Sequence, residues 1–467
     1  MNLTTSYPHR EILRIGLPLV LGMSAVTLME FIDRLFLSHY SVEAISAASP
    51  AGISAFFFIA FFSGVASYTG VFIAQYHGKG ERNAIGAILW QGIYWSLAAG
   101  ACCLLIGLLA AEPIFALAGH DETVQKLEVE YFSVLCRGGV FHITSQCLST
   151  FFSGRGQTRA VLLVTLTGVF VNIPLDYALI FGHWGLPEMG VRGAALATVI
   201  GWATSALLFA ALIFVKKGAG RGSPPDLPRW GLRHWRFQPS LCRRLLRYGV
   251  PGSLQMTFDI LAFTIFLLLI GRLGTTALAA TNIAFTINLL AFMPAMGASQ
   301  AVSILVGQEL GRGRPDRAGA AVWGSIHLLL LFTFCLDMAL IFFPDNIFGL
   351  FIAGDTDAAT AGALLANGRM LLRIIAVYLM MDALYMVFSG ALRGAGDTRF
   401  LMICAGICYS YCLVLPALIA VLYWPRTLFA ACLWLDILVA SLFICAAWRY
   451  RQGCWKTMLV IGGGREN

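Results

Sequence analysis

Hydrophobic runs of about 20 residues or more, long enough for the apolar core of a bilayer, recur twelve times along the chain. They lie roughly at 14–37, 47–74, 84–111, 129–152, 160–181, 191–215, 247–271, 280–306, 318–343, 366–391, 399–423 and 427–448. Each run predicts a helix, because within lipid the backbone N–H and C=O groups must be satisfied inside the segment itself. The first run is too long for a removable signal sequence and lacks its small-residue cleavage site, so it reads as a mature span. The polar intervals are short, apart from one at 216–246. The expected fold class is an all-α integral membrane protein with twelve transmembrane helices in two pseudo-symmetric six-helix bundles. Its parts are an amino-terminal lobe at 1–215, a linker at 216–246, a carboxyl-terminal lobe at 247–450 and a tail at 451–467.

The division into two lobes rests on a repeat. Residues 16–90 lie over residues 249–323 at a constant offset of 233: Gly16-Leu17-Pro18 falls on Gly249-Val250-Pro251, and Gln75, Gly78, Gly80 and Trp90 fall on Gln308, Gly311, Gly313 and Trp323. A weaker match at an offset of 240 sets Gly154-Arg155-Gly156-Gln157-Thr158-Arg159 over Gly394-Ala395-Gly396-Asp397-Thr398-Arg399. Six spans per half is an even number, so both halves enter the membrane the same way, related by an axis along its normal. Duplicated bundles of this kind are how many carriers build a site that opens to either face.

Composition agrees with a membrane location: 58% of residues are hydrophobic and 12% charged, with a mean hydropathy of +0.77. The net charge of +8 implies no nucleic-acid partner, because its distribution is one-sided. Three quarters of the 32 Lys and Arg residues fall in alternate loops on one side, among them Arg10, Lys79, Arg155, Arg312, Arg393 and Arg449, and nine lie between Lys216 and Arg247. The other side holds Lys126, Arg192, Arg272, Arg369, Arg373 and Arg426 beside acids such as Asp121, Asp345, Asp355 and Asp357. The positive-inside rule then predicts an inner-membrane protein with both termini cytoplasmic. The basic linker reads as anchoring of that kind, with contact to membrane lipid headgroups as the second option.

Several classes of chemistry drop out. The twelve cysteines sit mostly in apolar runs without zinc-site spacing; Cys404, Cys408 and Cys412 share one helix face and read as packing. The one Gly-Lys pair, Gly78-Lys79, lacks the first glycine of a P-loop, so no cofactor is expected and an ion gradient is the energy source. No His-Glu-x-x-His or Gly-x-Ser-x-Gly supports an intramembrane enzyme.

Ionisable residues inside spans are costly, at least ~2.5–3.5 kcal/mol for Asp near the bilayer centre, so function is sought there. The candidates are Glu30, Asp33, Arg34, Arg137, His142, Asp176, Asp259, His327, Asp337, Asp382 and Asp436. Acids predominate, which favours protons, sodium and organic cations as cargo. At 1.5 Å rise per residue, Asp33, Asp176, Ala194 and Thr198 can share one level. Asn172 and Asp176 lie on one helix face, as do Ala194 and Thr198. Two carboxylates, an amide, a hydroxyl and a main-chain carbonyl make an all-oxygen set, suited to a hard cation or to a shared proton.

On these residues the chain resembles the multidrug and toxic compound extrusion (MATE) transporters over nearly its whole length. The likeness is carried by Phe31-Ile32-Asp33, by Val171-Asn172-Ile173-Pro174-Leu175-Asp176 and by Gly193-Ala194-Ala195-Leu196-Ala197-Thr198, and further by Phe258-Asp259, Met381-Asp382-Ala383, the Gln-x-x-Gly-x-Gly loops at Gln75 and Gln308, and Leu392-Arg393-Gly394. The resemblance implies a multidrug antiporter exporting organic cations or amphiphilic drugs in exchange for Na+ or H+. It also implies an amino-lobe sodium site at Asp33, Asn172, Asp176, Thr198 and the carbonyl of Ala194, and carboxyl-lobe coupling acids Asp259 and Asp382. Pro18 matches a bend position in helix 1 of some members, or is a tolerated helix proline.

Two departures from the family pattern stand out. Arg34 follows Asp33 where a small polar residue is usual, and it can pair with Glu30 one turn earlier or with Asp33 itself. Asp259 is shorter than the glutamate common there. His142, over Asp382 at the 240 offset, is either a proton relay or a neutral histidine bonded to a neighbour. Asp337 and Asp436 have no motif support and read as bonded within the bundle or near a span end. The expected protein is a monomer whose partners are small organic cations and the coupling ion. The alternative, a flippase for lipid-linked precursors, needs basic groups in the cavity, and only Arg34 and Arg137 offer them. An apolar wall rich in Phe and Met predicts broad substrate tolerance.

Overall fold

As far as the described residues reach, all twelve hydrophobic runs fall on helices. The computed structural model describes residues 9–214, 235–351, 358–414, 416 and 428–462. Asp355, Asp357, Arg426, Arg465, the Gly222–Pro225 stretch and most of the linker lie outside the described residues.

The first half comprises α1 (His9–Tyr40), α2 (Val42–Ser67), α3 (Thr69–Lys79), α4 (Arg82–Leu109), α5 (Ala111–Ala118), α6 (Glu122–Ser153), α7 (Thr158–Phe181) and α8 (Gly190–Phe214). The second comprises α9 (Pro239–Gly271), α10 (Thr275–Gly311), α11 (Pro315–Phe342), α12 (Pro344–Gly349), α13 (Ala358–Ala395), α14 (Thr398–Tyr409) and α15 (Leu428–Arg451). A π-helical turn at Ser410–Val414 follows α14, and a 3₁₀ turn at Cys454–Thr457 follows α15. No β-strand occurs among the described residues.

Nine described helical segments are long and apolar enough to cross a bilayer, with α2 and α3 together making one of them, and α10 adds a tenth as a span bent by 42°. The bend falls between Leu289 and Phe292, at the carbonyl that the ring of Pro294 displaces four residues upstream. The remaining two runs are α6, whose sequence includes Glu122, Lys126, Glu128, Glu130 and Arg137, and Thr398–Leu413, a shorter apolar helix.

The repeat governs element boundaries well past residue 90. Helices α4 and α11 start at Arg82 and Pro315 and end at Leu109 and Phe342, and the short α5 and α12 begin at Ala111 and Pro344, each pair 233 apart. Helices α7 and α14 begin at Thr158 and Thr398, 240 apart. The seven-residue slip therefore enters somewhere between the start of the short helix and the start of α7 or α14.

Packing divides the chain into two compact units: Leu21–Ser253 with Val460–Asn467, the amino unit, and Met1–Val20 with Leu254–Leu459, the carboxyl unit. In the amino unit α6 is the central helix, touching α2, α4 and α8; in the carboxyl unit its counterpart α13 touches α10, α11 and α15. The cut falls inside α1 and inside α9, at bonds 233 residues apart. The first stretch of α1 packs within the carboxyl unit: a Cβ at Gly16 would lie 3.5 Å from the Ala301 methyl, and one at Gly297 would lie 3.3 Å from the Val20 nitrogen. The first stretch of α9 does the reciprocal in the amino unit. A Cβ at Gly64 would lie 3.1 Å from the Ser253 Cβ, the Ser253 hydroxyl donates to the Phe61 carbonyl, and Tyr248 stacks on Tyr68 at 6.4 Å. Small residues let the helices approach this closely.

Candidate functional site

In the amino unit, Asp33 on α1 and Asn172 and Asp176 on α7 are 8%, 1% and 0% exposed. Ala194 on α8 is also buried, and Thr198 is half-buried. Helices α7 and α8 run antiparallel in a register that glycines hold. A Cβ at Gly193 would meet the Leu179 carbonyl, one at Gly201 would lie 3.2 Å from the Asn172 Cβ, and one at Gly168 would meet Ser205. That register sets Asp176 level with Leu196 and Ala197, with Ala194 and Thr198 each within a turn of it.

Asp33 and Asp176 lie within electrostatic reach of each other. Tyr131 on α6 is buried, donates its hydroxyl to Asp33 Oδ2 at 3.3 Å and also lies within electrostatic reach of Asp176. Five buried polar atoms have no hydrogen-bond partner here: Asp33 Oδ1, both carboxylate oxygens of Asp176, and Oδ1 and Nδ2 of Asn172. Buried polar atoms are nearly always paired. Four of the five are oxygens, concentrated around two carboxylates, which is what a site for a cation or proton presents; the fifth, the Asn172 amide nitrogen, is a donor that acts on Asp176 itself.

Around this cluster the flanking residues divide. Arg34 acts on both Asp33 and Glu30 electrostatically, yet no ion pair within 4.0 Å joins it to either. Glu30 and Arg34 are both exposed on the helix surface. Pro18 lies inside α1, which continues through it as one helix of 32 residues. His142 is half-buried with its ring edge against Trp202, centroids 4.9 Å apart.

The carboxyl unit holds a second acidic cluster. Asp259 on α9 is half-buried and accepts a hydrogen bond from the Tyr409 hydroxyl, at the junction of α14 and the π-helical turn; Asp382 on α13 is buried. Gln255 donates to the Tyr385 hydroxyl at 2.7 Å. Tyr378, one turn before Asp382, lies within electrostatic reach of Asp259, Asp382 and also Asp436 on α15. Asp337 on α11 is buried with Oδ1 unpartnered.

Tyr131, Tyr378, Tyr385, Tyr409 and Gln255 are the neighbours that sequence reasoning missed. They carry no formal charge, so they lack the cost that marks an ionised group inside the membrane. The available signal was a hydroxyl or amide at one-turn spacing from an intramembrane acid, as in Tyr378 to Asp382 and Gln255 to Asp259.

A polytopic α-helical membrane protein built from two repeats, each holding a carboxylate cluster within its helices, belongs to the class of secondary carriers. The family model MatE matches residues 18–178 and 251–419, and the chain belongs to that family. It is 31% identical over 407 residues to the probable multidrug resistance protein NorM of Rhizobium meliloti (strain 1021), covering 86% of this chain and 84% of the relative. It is 27% identical over 443 residues to the probable multidrug resistance protein NorM of Thermotoga maritima, covering 93% and 90%. Among solved structures, it is similar to the outward-facing conformation of a multidrug resistance MATE family transporter of the MOP superfamily, with a TM-score of 0.84 and 22% identity over 97% of both chains.

Proposed function

We propose that this chain is a multidrug antiporter that exports organic cations and amphiphilic drugs in exchange for Na+ or H+. The inward ion binds at Asp33, Asn172, Asp176, Thr198 and the Ala194 carbonyl, with Tyr131 holding Asp33 in place. Asp259 and Asp382 form the coupling pair of the carboxyl unit. The observation that carries this reading is the group of four unpartnered buried oxygens on Asp33, Asn172 and Asp176. A small cation or a proton satisfies them, and a neutralised carboxylate no longer attracts the drug, so ion and drug compete for one charge.

The family is a family of transporters, and no enzymatic step is assigned to the chain. The relatives bearing multidrug resistance names favour drug efflux over the flippase alternative. The protein works as a monomer in the inner membrane with both termini in the cytoplasm, as its basic loops predict, and needs no cofactor beyond the coupling ion. The test is ethidium efflux from proteoliposomes under separate sodium and pH gradients. The wild type responds to one of these gradients, and Asp33→Asn and Asp176→Asn each abolish the response. Normal ion-driven export by both variants ends the amino-unit assignment.

A further inference from the structure

Beyond the acid pair, toward the Tyr40 end of α1 and the Phe181 end of α7, aromatic rings gather around Tyr177. Its ring centroid lies 5.8 Å from Phe36, 5.5 Å from Phe181, 4.7 Å from His183 and 6.4 Å from Trp184. Tyr40 packs on Phe181 at 6.1 Å and donates its hydroxyl to Glu188 Oε1 at 3.0 Å. The cluster is open: Trp184 is 72% and Tyr177 41% exposed. Trp184 has φ +59°, the single positive φ outside glycine among the described residues, a backbone state that costs energy for a bulky side chain.

The cluster starts at the level of the acid pair, on an adjoining face of α7: Tyr177 is 41% exposed where Asp176 is 0%. Phe36 is three residues past Asp33, Tyr177 directly follows Asp176, and Phe181 lies five residues beyond Asp176. At 1.5 Å per residue the rings begin beside the carboxylates and extend about 10 Å further along the same two helices. In the proposed orientation this is the external side.

The two cargoes differ in what these rings offer them. Sodium and protons are strongly hydrated and gain from oxygen ligands. A large organic cation carries diffuse charge and apolar surface, and the face of an aromatic ring attracts both. An interfacial belt of Trp and Tyr accounts for single rings at this depth. It does not account for rings packed on one another around Tyr177, for a tryptophan held at positive φ, or for a carboxylate tied into the group by Tyr40.

We propose that Tyr177, Trp184 and Glu188 form a second, organic-cation subsite at this end of the amino unit, separate from the acid pair, which receives the exported cation after the coupling ion has displaced it. The proposal takes its ligand class from the efflux reading above. The experiment uses the full chain in nanodiscs and equilibrium dialysis of tetraphenylphosphonium, with tetraphenylborate as the anion of the same shape and lipid-only nanodiscs subtracted. In the Asp33→Asn, Asp176→Asn background, residual binding that favours the phosphonium is expected. Adding Trp184→Leu or Glu188→Gln lowers that affinity about tenfold, Trp184→Phe retains most of it, and the thermal midpoint is unchanged. Equal binding of the two probes, or phosphonium affinity unaltered by Trp184→Leu, Tyr177→Leu and Glu188→Gln alike, overturns the subsite. Absence of ion-driven flux in the wild type sinks the antiport reading instead and leaves these dialysis results to be judged separately.

Discussion

The hydroxyl of Tyr131 reaches from α6 to the carboxylate of Asp33 on α1 across 3.3 Å, placing a neutral donor, with no charge of its own, on one of the two acids of the amino unit. Because that donor stabilises the carboxylate without competing for the site as a cation, Tyr131→Phe should change coupling-ion affinity about tenfold, the scale of one hydrogen bond to a charged group, weakening sodium and tightening a proton. Ion-dependent protection of a cysteine placed in the cavity measures this. Wild-type affinity in a well-folded Tyr131→Phe protein would remove Tyr131 from the site.

The repeat-related glycines Gly64 and Gly297 should respond alike to enlargement. Each faces the exchanged stretch of the other half's first helix, Ser253 in one case and Val20 in the other. Gly64→Leu and Gly297→Leu should each destabilise by about 1–3 kcal/mol through overpacking, visible as a lowered thermal midpoint in detergent. A neutral result at either position would mean that the close approach there is not maintained in solution.

The ion pair between Arg449 and Asp397 joins the end of α15 to the turn before α14 at 2.6 Å, with side chains 23% and 8% exposed. Arg449 also donates to Gln452 and lies over the Phe400 ring. Asp397→Asn should cost about 2–3 kcal/mol, since the guanidinium loses its counter-charge but keeps its burial. Adding Arg449→Met should restore part of that loss. If the two losses simply add, the pair contributes no coupling.

One ionisation outside the spans has a clear sign. Lys126, bonded to Glu122 at 2.7 Å in the first turns of α6, holds the Glu122 carboxyl below its ordinary value of 4.5. A depressed carboxylate supports the fold above its unfolded pKa and loses that support as pH falls through the lower folded value. The start of α6 should therefore lose this support only as pH falls below the ordinary glutamate value of 4.5, and Lys126→Met should move the titration upward, as read by carbon NMR of labelled glutamate. A Glu122 titration unaffected by Lys126→Met would show that the pair is not formed in solution.

Hydropathy made the twelve helices legible because lipid demands an unbroken apolar run, and this demand does not depend on what each helix touches. Its edges were less clear. Helix α6 begins at Glu122, seven residues before the apolar run, capped by the Asp121 side chain bonded to the Thr123 nitrogen. The acids of both units were found because charge in a span is expensive, whereas Tyr131 and Tyr409 were hidden among aromatic residues that lipid accepts without cost. The route of α1 and α9 was beyond reach for a different reason. A periodic apolar pattern tells that a helix is buried but not which bundle buries it, although the repeat had already set Val20 over Ser253.

That exchange of helix beginnings constrains how the molecule can be taken apart. A fragment ending in the linker would carry the opening stretch of α1 without the α10 surface around Gly297 and Ala301 on which it rests, and would bare the faces of α2 and α3 that Tyr248 and Ser253 cover. Neither half is a module that can be cut out at the linker and still close. A working shuffle between two such proteins has to change over within the helices, just past Pro18 and Pro251, and not at the loop that looks made for it.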